Sequence, residues 1–171
     1  MSYRVGFGED IHRFSKNRKL ILGTVTIPFE KGLLGHSDAD VVLHALSDAI
    51  LSSMGEADIG AFFPNNDPKI EGIDSREILR FAYGKAKERG YSLENASISI
   101  VTEAPKLRPY IERMKEGIAE TLGVEKERIG ILAGTNEGLG DIGKGLAIKA
   151  SAIVSMKKEL WEWVMRNCLR A

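Results

Sequence analysis

Cysteine is almost absent: Cys168 stands alone among 171 residues. That excludes an internal disulfide and any multi-cysteine zinc site, and it fits a reducing compartment. Net charge is absent as well. Lys plus Arg number 24 and Asp plus Glu number 24, so the chain lacks the basic excess that nucleic-acid and anionic-membrane binders use. Neither nucleic acid nor membrane is an expected partner. No apolar run approaches the length of a bilayer span. The opening Met1-Ser2-Tyr3-Arg4-Val5-Gly6 has no apolar signal core and no Arg/Ser-rich transit stretch. A cytoplasmic location is therefore expected. Histidine is scarce: His12, His36 and His44 are the whole set, all within the first 44 residues.

What is present is the composition of one well-packed globular domain: 43% hydrophobic, 28% charged and 18 glycines, with no internal repeat, low-complexity tract or Pro/Ser-rich linker. A domain of about 170 residues buries roughly 70% of its unfolded surface, enough for a core without staples. Residues 3–8 read as a strand with Val5 and Phe7 on one face, and residues 20–28 as a hairpin broken near Gly23-Thr24. Residues 38–54 carry helical spacing, with Ser37 or Asp38 as the expected cap. Residues 74–89 predict a second helix, capped by Asp74, with Glu77 three residues on and Gly90 as the stop. Residues 96–103, 129–134 and 145–155 read as strands, and Pro109 to Leu122 as a third helix closed by Gly123. The tail 157–169 puts Leu160, Trp161, Val164, Met165, Cys168 and Leu169 on one helical stripe. Three helices among four or five strands predict an α+β or α/β sandwich.

Asp10 and His12 lie two apart at the end of a strand-like segment, so both side chains point to one face, the face on which Gly6 and Gly8 leave the backbone bare. His44 sits in the first predicted helix with Asp40 four residues before it and Asp48 four after. Either aspartate could hold the ring nitrogen that faces away from a metal. Asp, His and His suit zinc, and three protein ligands leave the fourth position open, as in catalytic zinc sites. The same set is the facial triad of non-haem iron oxygenases, so ligand type does not fix the metal. Against all this stands a plainer account: D-x-H pairs arise by chance, and a histidine on an apolar helix is commonly a satisfied core residue.

Two glycine motifs near residue 140 are decoys. Residues 138–145 contain a literal G-x-G-x-x-G and fall one residue short of a Walker A, because Gly145 stands where Ser or Thr must bind magnesium. Both motifs need a helix starting at the glycines, whereas Gly145 onward alternates as a strand. A glycine-rich turn beside Thr135, Glu137 and Lys144 could still hold phosphate through backbone amides. The run Gly35 to Asp40 places an imidazole, a hydroxyl and two carboxylates before the His44 helix, where its amides and a cationic His36 would favour an anion.

The pattern as a whole is similar to the 2-C-methyl-D-erythritol 2,4-cyclodiphosphate synthase family. Gly6-Phe7-Gly8-Glu9-Asp10-Ile11-His12 resembles its opening motif, and Lys31 to Asp40, continuing through His44 to Ala49, resembles its signature. Asp58-Ile59-Gly60, Phe63-Pro64, Asp67-Pro68, Asp74-Ser75-Arg76, Ala104-Pro105-Lys106, Thr135 and Glu137 extend the likeness over residues 3 to about 155. The resemblance implies an α+β two-layer sandwich, a mixed sheet with helices on one face. It implies a domain over 1–156 with a helical extension at 157–171, and three chains packing their sheets around a trimer axis with active sites between subunits. It implies a phosphorus-oxygen lyase of non-mevalonate isoprenoid synthesis. Such an enzyme converts 4-diphosphocytidyl-2-C-methyl-D-erythritol 2-phosphate to 2-C-methyl-D-erythritol 2,4-cyclodiphosphate and releases CMP.

By position, Asp10, His12 and His44 would ligate zinc, and Glu137 a second divalent cation, magnesium or manganese. His36 and Thr135 would polarise phosphates. Ser37, Asp58, Ile59, Gly60, Phe63 and Asp67 would hold the methylerythritol phosphate beside Asp10 and His12. Thr102, Ala104, Pro105, Lys106, Leu107, Arg108, Gly134, Thr135, Asn136 and Glu137 would form the cytidine and diphosphate pocket, with Asp141 and Lys144 completing the substrate set. The chain departs from its relatives in two places. Gly134 and Asn136 flank Thr135, so one hydroxyl is missing. Asp141, Lys144 and Leu146 replace a phenylalanine, an arginine and a glutamate that line an axial cavity for isoprenoid diphosphate in relatives, so that ligand is not expected. The competing readings are an iron-dependent oxygenase and a CDP- or CMP-binding module without catalysis.

Overall fold

The computed structural model describes residues 2–64 and 70–158. The long N-terminal segment forms β1 (Tyr3–Ser15), followed by the hairpin β2 (Leu20–Leu22) and β3 (Val25–Ile27) and the short β4 (Gly32–Leu33). Helix α1 (Val41–Ser53) and the one-turn α2 (Ile59–Phe62) precede α3 (Ser75–Glu88), β5 (Tyr91–Val101) and α4 (Ile111–Leu122). The chain then runs through β6 (Ile129–Gly134), the one-turn α5 (Gly140–Gly143) and β7 (Ala147–Lys158). Five strands make one mixed sheet in the order β4-β1-β7-β5-β6, antiparallel except for the parallel β5–β6 pair, and β2–β3 form a separate ladder. The fold is the α+β two-layer form, with the long helices against one sheet face.

Side-chain size on β1 explains how close α1 comes. A Cβ added at Gly6 would lie 1.9 Å from the Ala49 carbonyl oxygen, and one at Gly8 would lie 2.2 Å from that of Ala45. Only glycine lets the helix backbone rest on the strand, and that contact delivers His44 to Asp10 and His12. The helix is buried nearly all round, as expected of one held between a sheet and a second helix, here α3. On the sheet, Ile98, Ile100, Ile148, Ala152, Val154 and Met156 point inward and are buried. The opposite face carries Val5, Phe7, Ile11, Leu132 and Ile153, all more than half exposed.

Several boundaries differ from expectation. Helix α1 starts at Val41 and its cap is Asp40, whose carboxylate accepts from the Val42 and Leu43 amides. Ser37 and Asp38 do not cap it. Asp40 wins because it also accepts from Gly23 and Thr24 amides of the β2–β3 turn, at 2.9 and 2.8 Å. Strands β1 and β5 are longer than their alternating cores, because pairing with β7 extends both. Helix α4 begins two residues late, after a single 3-10 turn at Arg108–Tyr110. Lys157 and Lys158 belong to β7 rather than to a helical extension. The helix expected beyond them, at 159–171, lies outside the described residues.

Candidate functional site

Asp10 and His12 project from β1 toward α1, and His44 meets them from the second turn of that helix. Asp10 Oδ2 lies 2.9 Å from His12 Nε2 and 3.0 Å from His44 Nδ1, and the two nitrogens are 3.2 Å apart. Ligand atoms about 2.0–2.1 Å from a tetrahedral zinc stand about 3.3 Å from one another, so this triangle needs only slight expansion to hold one. The triad is the one cluster of three potential metal-ligating groups among the described residues. His12 Nδ1 faces the Leu34 carbonyl at 2.6 Å. A carbonyl only accepts, so Nδ1 carries the proton and Nε2 is left for a ligand. Burial alone would raise the Asp10 carboxyl, but hydrogen bonds and charge from His12 and His44 hold it well below the usual carboxylate range. Burial would lower His12, and the Asp10 hydrogen bond and charge outweigh it, raising the imidazole.

Neither Asp40 nor Asp48 holds the outward nitrogen of His44. Asp40 is fully buried and spent on the α1 cap and the hairpin amides, and burial pushes its carboxyl up to about 6 against those hydrogen bonds. Asp48 accepts from the Ile59 amide at 2.8 Å. His44 Nε2 instead faces the hydroxyls of Ser75, at 2.9 Å, and Ser37, at 3.2 Å. Ser75 enters from the first turn of α3, 31 residues along the chain, and nothing in its spacing to His44 announced it.

The open side of the triad lines a cavity of about 420 Å³ together with His36, Ser37, Ile59, Gly60 and Phe63. Asp58 stands beside it, capping α2 by accepting from the Ala61 amide. Asp67 lies outside the described residues. The expected anion seat at the α1 N-terminus does not form, because the Asp40 carboxylate occupies those amides. A residue that sequence reasoning missed shapes this rim. Arg18 donates to the Gly35 carbonyl at 2.6 Å and to the Ser37 carbonyl, clamping the backbone on either side of His36.

A second group assembles at the far edge of the sheet. Thr102 is buried, its amide donating to the Gly134 carbonyl at 3.0 Å and its hydroxyl to Ala104 at 2.7 Å. Glu103, which the sequence places only in a loop, accepts from the Asn136 and Gly138 amides at 2.9 and 3.2 Å and so ties the 102–108 segment to the 134–138 turn. Thr135 donates to Glu137 at 2.8 Å. Ala104, Lys106 and Arg108 are exposed and Pro105 half-buried, whereas the Leu107 side chain is in the core. Asp141 lies in α5 and Lys144 caps its end, their charged groups 4.0 Å apart, and the strand that begins at Ala147 replaces any long nucleotide-binding helix.

These two groups do not meet within one chain. Asp10 is level with Ala150, Ala150 with Ile100, and Ile100 with Ala133. Three strand spacings therefore separate Asp10 from the strand that leads to Thr135, about 14 Å. None of residues 102–108 or 134–137 lines the cavity at the triad.

Residues 3–157 match the model of the YgbB family. A curated 2-C-methyl-D-erythritol 2,4-cyclodiphosphate synthase of Geobacillus kaustophilus is 47% identical over 156 residues, which is 91% of this chain and 99% of that protein. Among solved structures, the bifunctional IspDF of Campylobacter jejuni superposes with a TM-score of 0.90 at 38% identity, over 94% of this chain and 44% of that one. A CDP-bound 2C-methyl-D-erythritol-2,4-cyclodiphosphate synthase gives a TM-score of 0.83 at 37% identity, over 90% and 100% of the two chains.

Proposed function

The chain belongs to the YgbB family, and on that premise we infer that it converts 4-diphosphocytidyl-2-C-methyl-D-erythritol 2-phosphate to 2-C-methyl-D-erythritol 2,4-cyclodiphosphate, releasing CMP. It is a phosphorus-oxygen lyase of non-mevalonate isoprenoid synthesis. The observation that carries the reading is the Asp10–His12–His44 triangle, which lines a cavity together with His36 and Ser37. The donor set and its spacing fit zinc. Bound there, zinc would supply a Lewis acid for a phosphoryl oxygen.

In the reaction an oxygen of the 2-phosphate forms a bond to the β-phosphorus. The bond from that phosphorus to the bridging oxygen breaks, and CMP departs with the electron pair on its phosphate. The attacking oxygen is already anionic, so no side chain need act as a strong base, and the work is positioning and charge neutralisation. His36 and Thr135 polarise the phosphates. Ser37, Asp58, Ile59, Gly60, Phe63 and Asp67 hold the methylerythritol phosphate. The 102–108 and 134–137 segments, with Asp141 and Lys144, take the cytidine diphosphate. Glu137 would hold a second divalent cation, magnesium or manganese.

The strand that leads to Thr135 lies three strand spacings, about 14 Å, from Asp10, which supports a site completed by the Thr135 of another copy. The apolar sheet face of Val5, Phe7, Ile11 and Ile153 supplies the contact, being a large exposed patch of the kind that marks an interface. We assign a homotrimer with that face turned to the axis, located in the cytoplasm. CMP release is the direct test. His12→Ala should lose stoichiometric zinc and CMP formation together, and normal CMP release by that variant would sink the assignment.

A further inference from the structure

The triad is held from behind by a chain of polar groups that belongs to neither the metal ligands nor the cavity. Ser75 is completely buried at the start of α3. Its hydroxyl is not needed as a cap, since Asp74 accepts from the Arg76 amide there. Instead Ser75 Oγ donates to Asp38 Oδ1 and stands 2.9 Å from His44 Nε2. Asp38 is itself fixed: its carboxylate accepts from the Ser75 amide at 3.2 Å and the Asp40 amide at 3.2 Å, and its own amide donates to the Ile73 carbonyl at 3.1 Å.

A hydroxyl has one hydrogen. Ser75 gives that hydrogen to a carboxylate, so toward His44 it offers only a lone pair. In the neutral ring His44 Nε2 then carries the proton and donates it to the nearer hydroxyl, which leaves Nδ1, the nitrogen on the Asp10 and His12 side, with the lone pair a metal needs. Metal-bound histidines generally have such a partner on the far nitrogen, and losing it lowers metal affinity about 10–100-fold.

We propose that Ser75 and Asp38 are a positioning pair that sets the tautomer and tilt of His44 and thereby the metal affinity of the triad. The proposal rests on the metal reading given above. Ser37, 3.2 Å from the same nitrogen, is the weaker partner, because its oxygen also accepts from the Ala39 amide at 2.9 Å.

The test uses the full chain stripped of metal and titrated with zinc against a chromogenic chelator. The wild type, Ser75→Ala and Ser75→Thr are compared, and cobalt absorption reports the ligand field in each. Ser75→Ala should bind zinc about 10–100-fold more weakly with an altered cobalt spectrum, while its metal-free unfolding midpoint stays near wild type. Ser75→Thr, which keeps the hydroxyl, should restore both. Wild-type affinity in Ser75→Ala, or an equal loss in Ser75→Thr, would overturn the pair while leaving the metal centre intact. A wild type that binds no zinc would remove the metal centre and the pair together, and that failure is visible without any variant. If Ser75→Ala lowers the metal-free midpoint, Asp38→Asn weakens the serine's anchor from the other side. It must also weaken zinc, and wild-type affinity there overturns the proposal.

Discussion

His44 is buried and both of its ring nitrogens face partners, whereas Thr135, Glu137, Asp141 and Lys144 stand in water at the other edge of the same sheet. The first region is finished within one chain. Helix α1 is pressed on glycines, α3 supplies Ser75, and Arg18 clamps the loop that carries His36. The second is held mainly by backbone amides on Glu103, and its exposed Thr135 and Glu137 side chains reach each other. A rigid, desolvated half suits a metal, which needs ligands fixed in advance. An exposed half about 14 Å away is useful only when another molecule covers it. On the proposed reading, the contrast is between a site that folding completes and one that assembly completes.

The largest effect comes from separating the two halves onto different chains. His44→Ala should drop CMP formation about 10³-fold or more, as loss of a Lewis acid contributing several kcal/mol demands. Thr135→Ala should drop it about 10²-fold, the usual cost of one transition-state donor. In the proposed homotrimer each variant alone is crippled at every site. Unfolded and refolded together in equal amounts, the two variants should recover about a quarter of wild-type activity, because a site pairing an intact triad with a neighbour's intact Thr135 arises by random mixing. If triad and Thr135 of one chain serve the same site, mixing restores nothing above the Thr135→Ala background, and the two halves belong to one chain's site.

The sequence announced the chemistry of the first half better than its support. Asp10, His12 and His44 could be read from the strand period and the helix after it, and Gly6 and Gly8 marked the bare backbone that α1 needs. Helix α3 came out with its cap Asp74 and its stop Gly90, because both signals are local and unrivalled. The α1 cap did not, because Ser37, Asp38 and Asp40 are all competent caps. What decided among them was the β2–β3 turn, whose amides at Gly23 and Thr24 reach only Asp40. The Ser75–His44 and Glu103–Asn136 contacts, spanning 31 and 33 residues, leave no periodic trace at all. The apolar sheet face was half visible: Val5 and Phe7 shared a face, but alternation alone cannot say whether that face meets a core, water or another chain.

Stability should separate the halves next. Asp40→Ala strands the amides of Gly23, Thr24, Val42 and Leu43 in the interior. Loss of a buried acceptor together with a helix cap costs about 3 kcal/mol, read as a lower urea midpoint of the metal-free protein. Asp141→Ala, at an exposed position in the other half, should stay within about 0.5 kcal/mol of wild type. Equal losses would mean that the exposed turn is part of the cooperative core.

The smallest effect is at the start of α3, the helix that carries Ser75. Asp74 accepts from the Arg76 amide at 2.9 Å and from its guanidinium, and that guanidinium hydrogen bond holds the carboxyl below its ordinary value of 3.8. Asp74→Ala should cost about 1 kcal/mol, the usual size of an N-cap, with the exposed ion pair adding little. By contrast α4, which leads toward the second half, has Tyr110 at its N-cap and no side-chain cap to lose. The pH dependence has a definite sign. A carboxyl whose folded value is lowered stabilises the fold once pH exceeds its unfolded value, and the gain is lost as pH falls through the folded value. The difference in stability between wild type and Asp74→Ala should therefore be flat at neutral pH and shrink only below about pH 4. A gap that grew on acidification would show that the aspartate is held in its neutral form, and would remove the helix-cap explanation for where α3 begins.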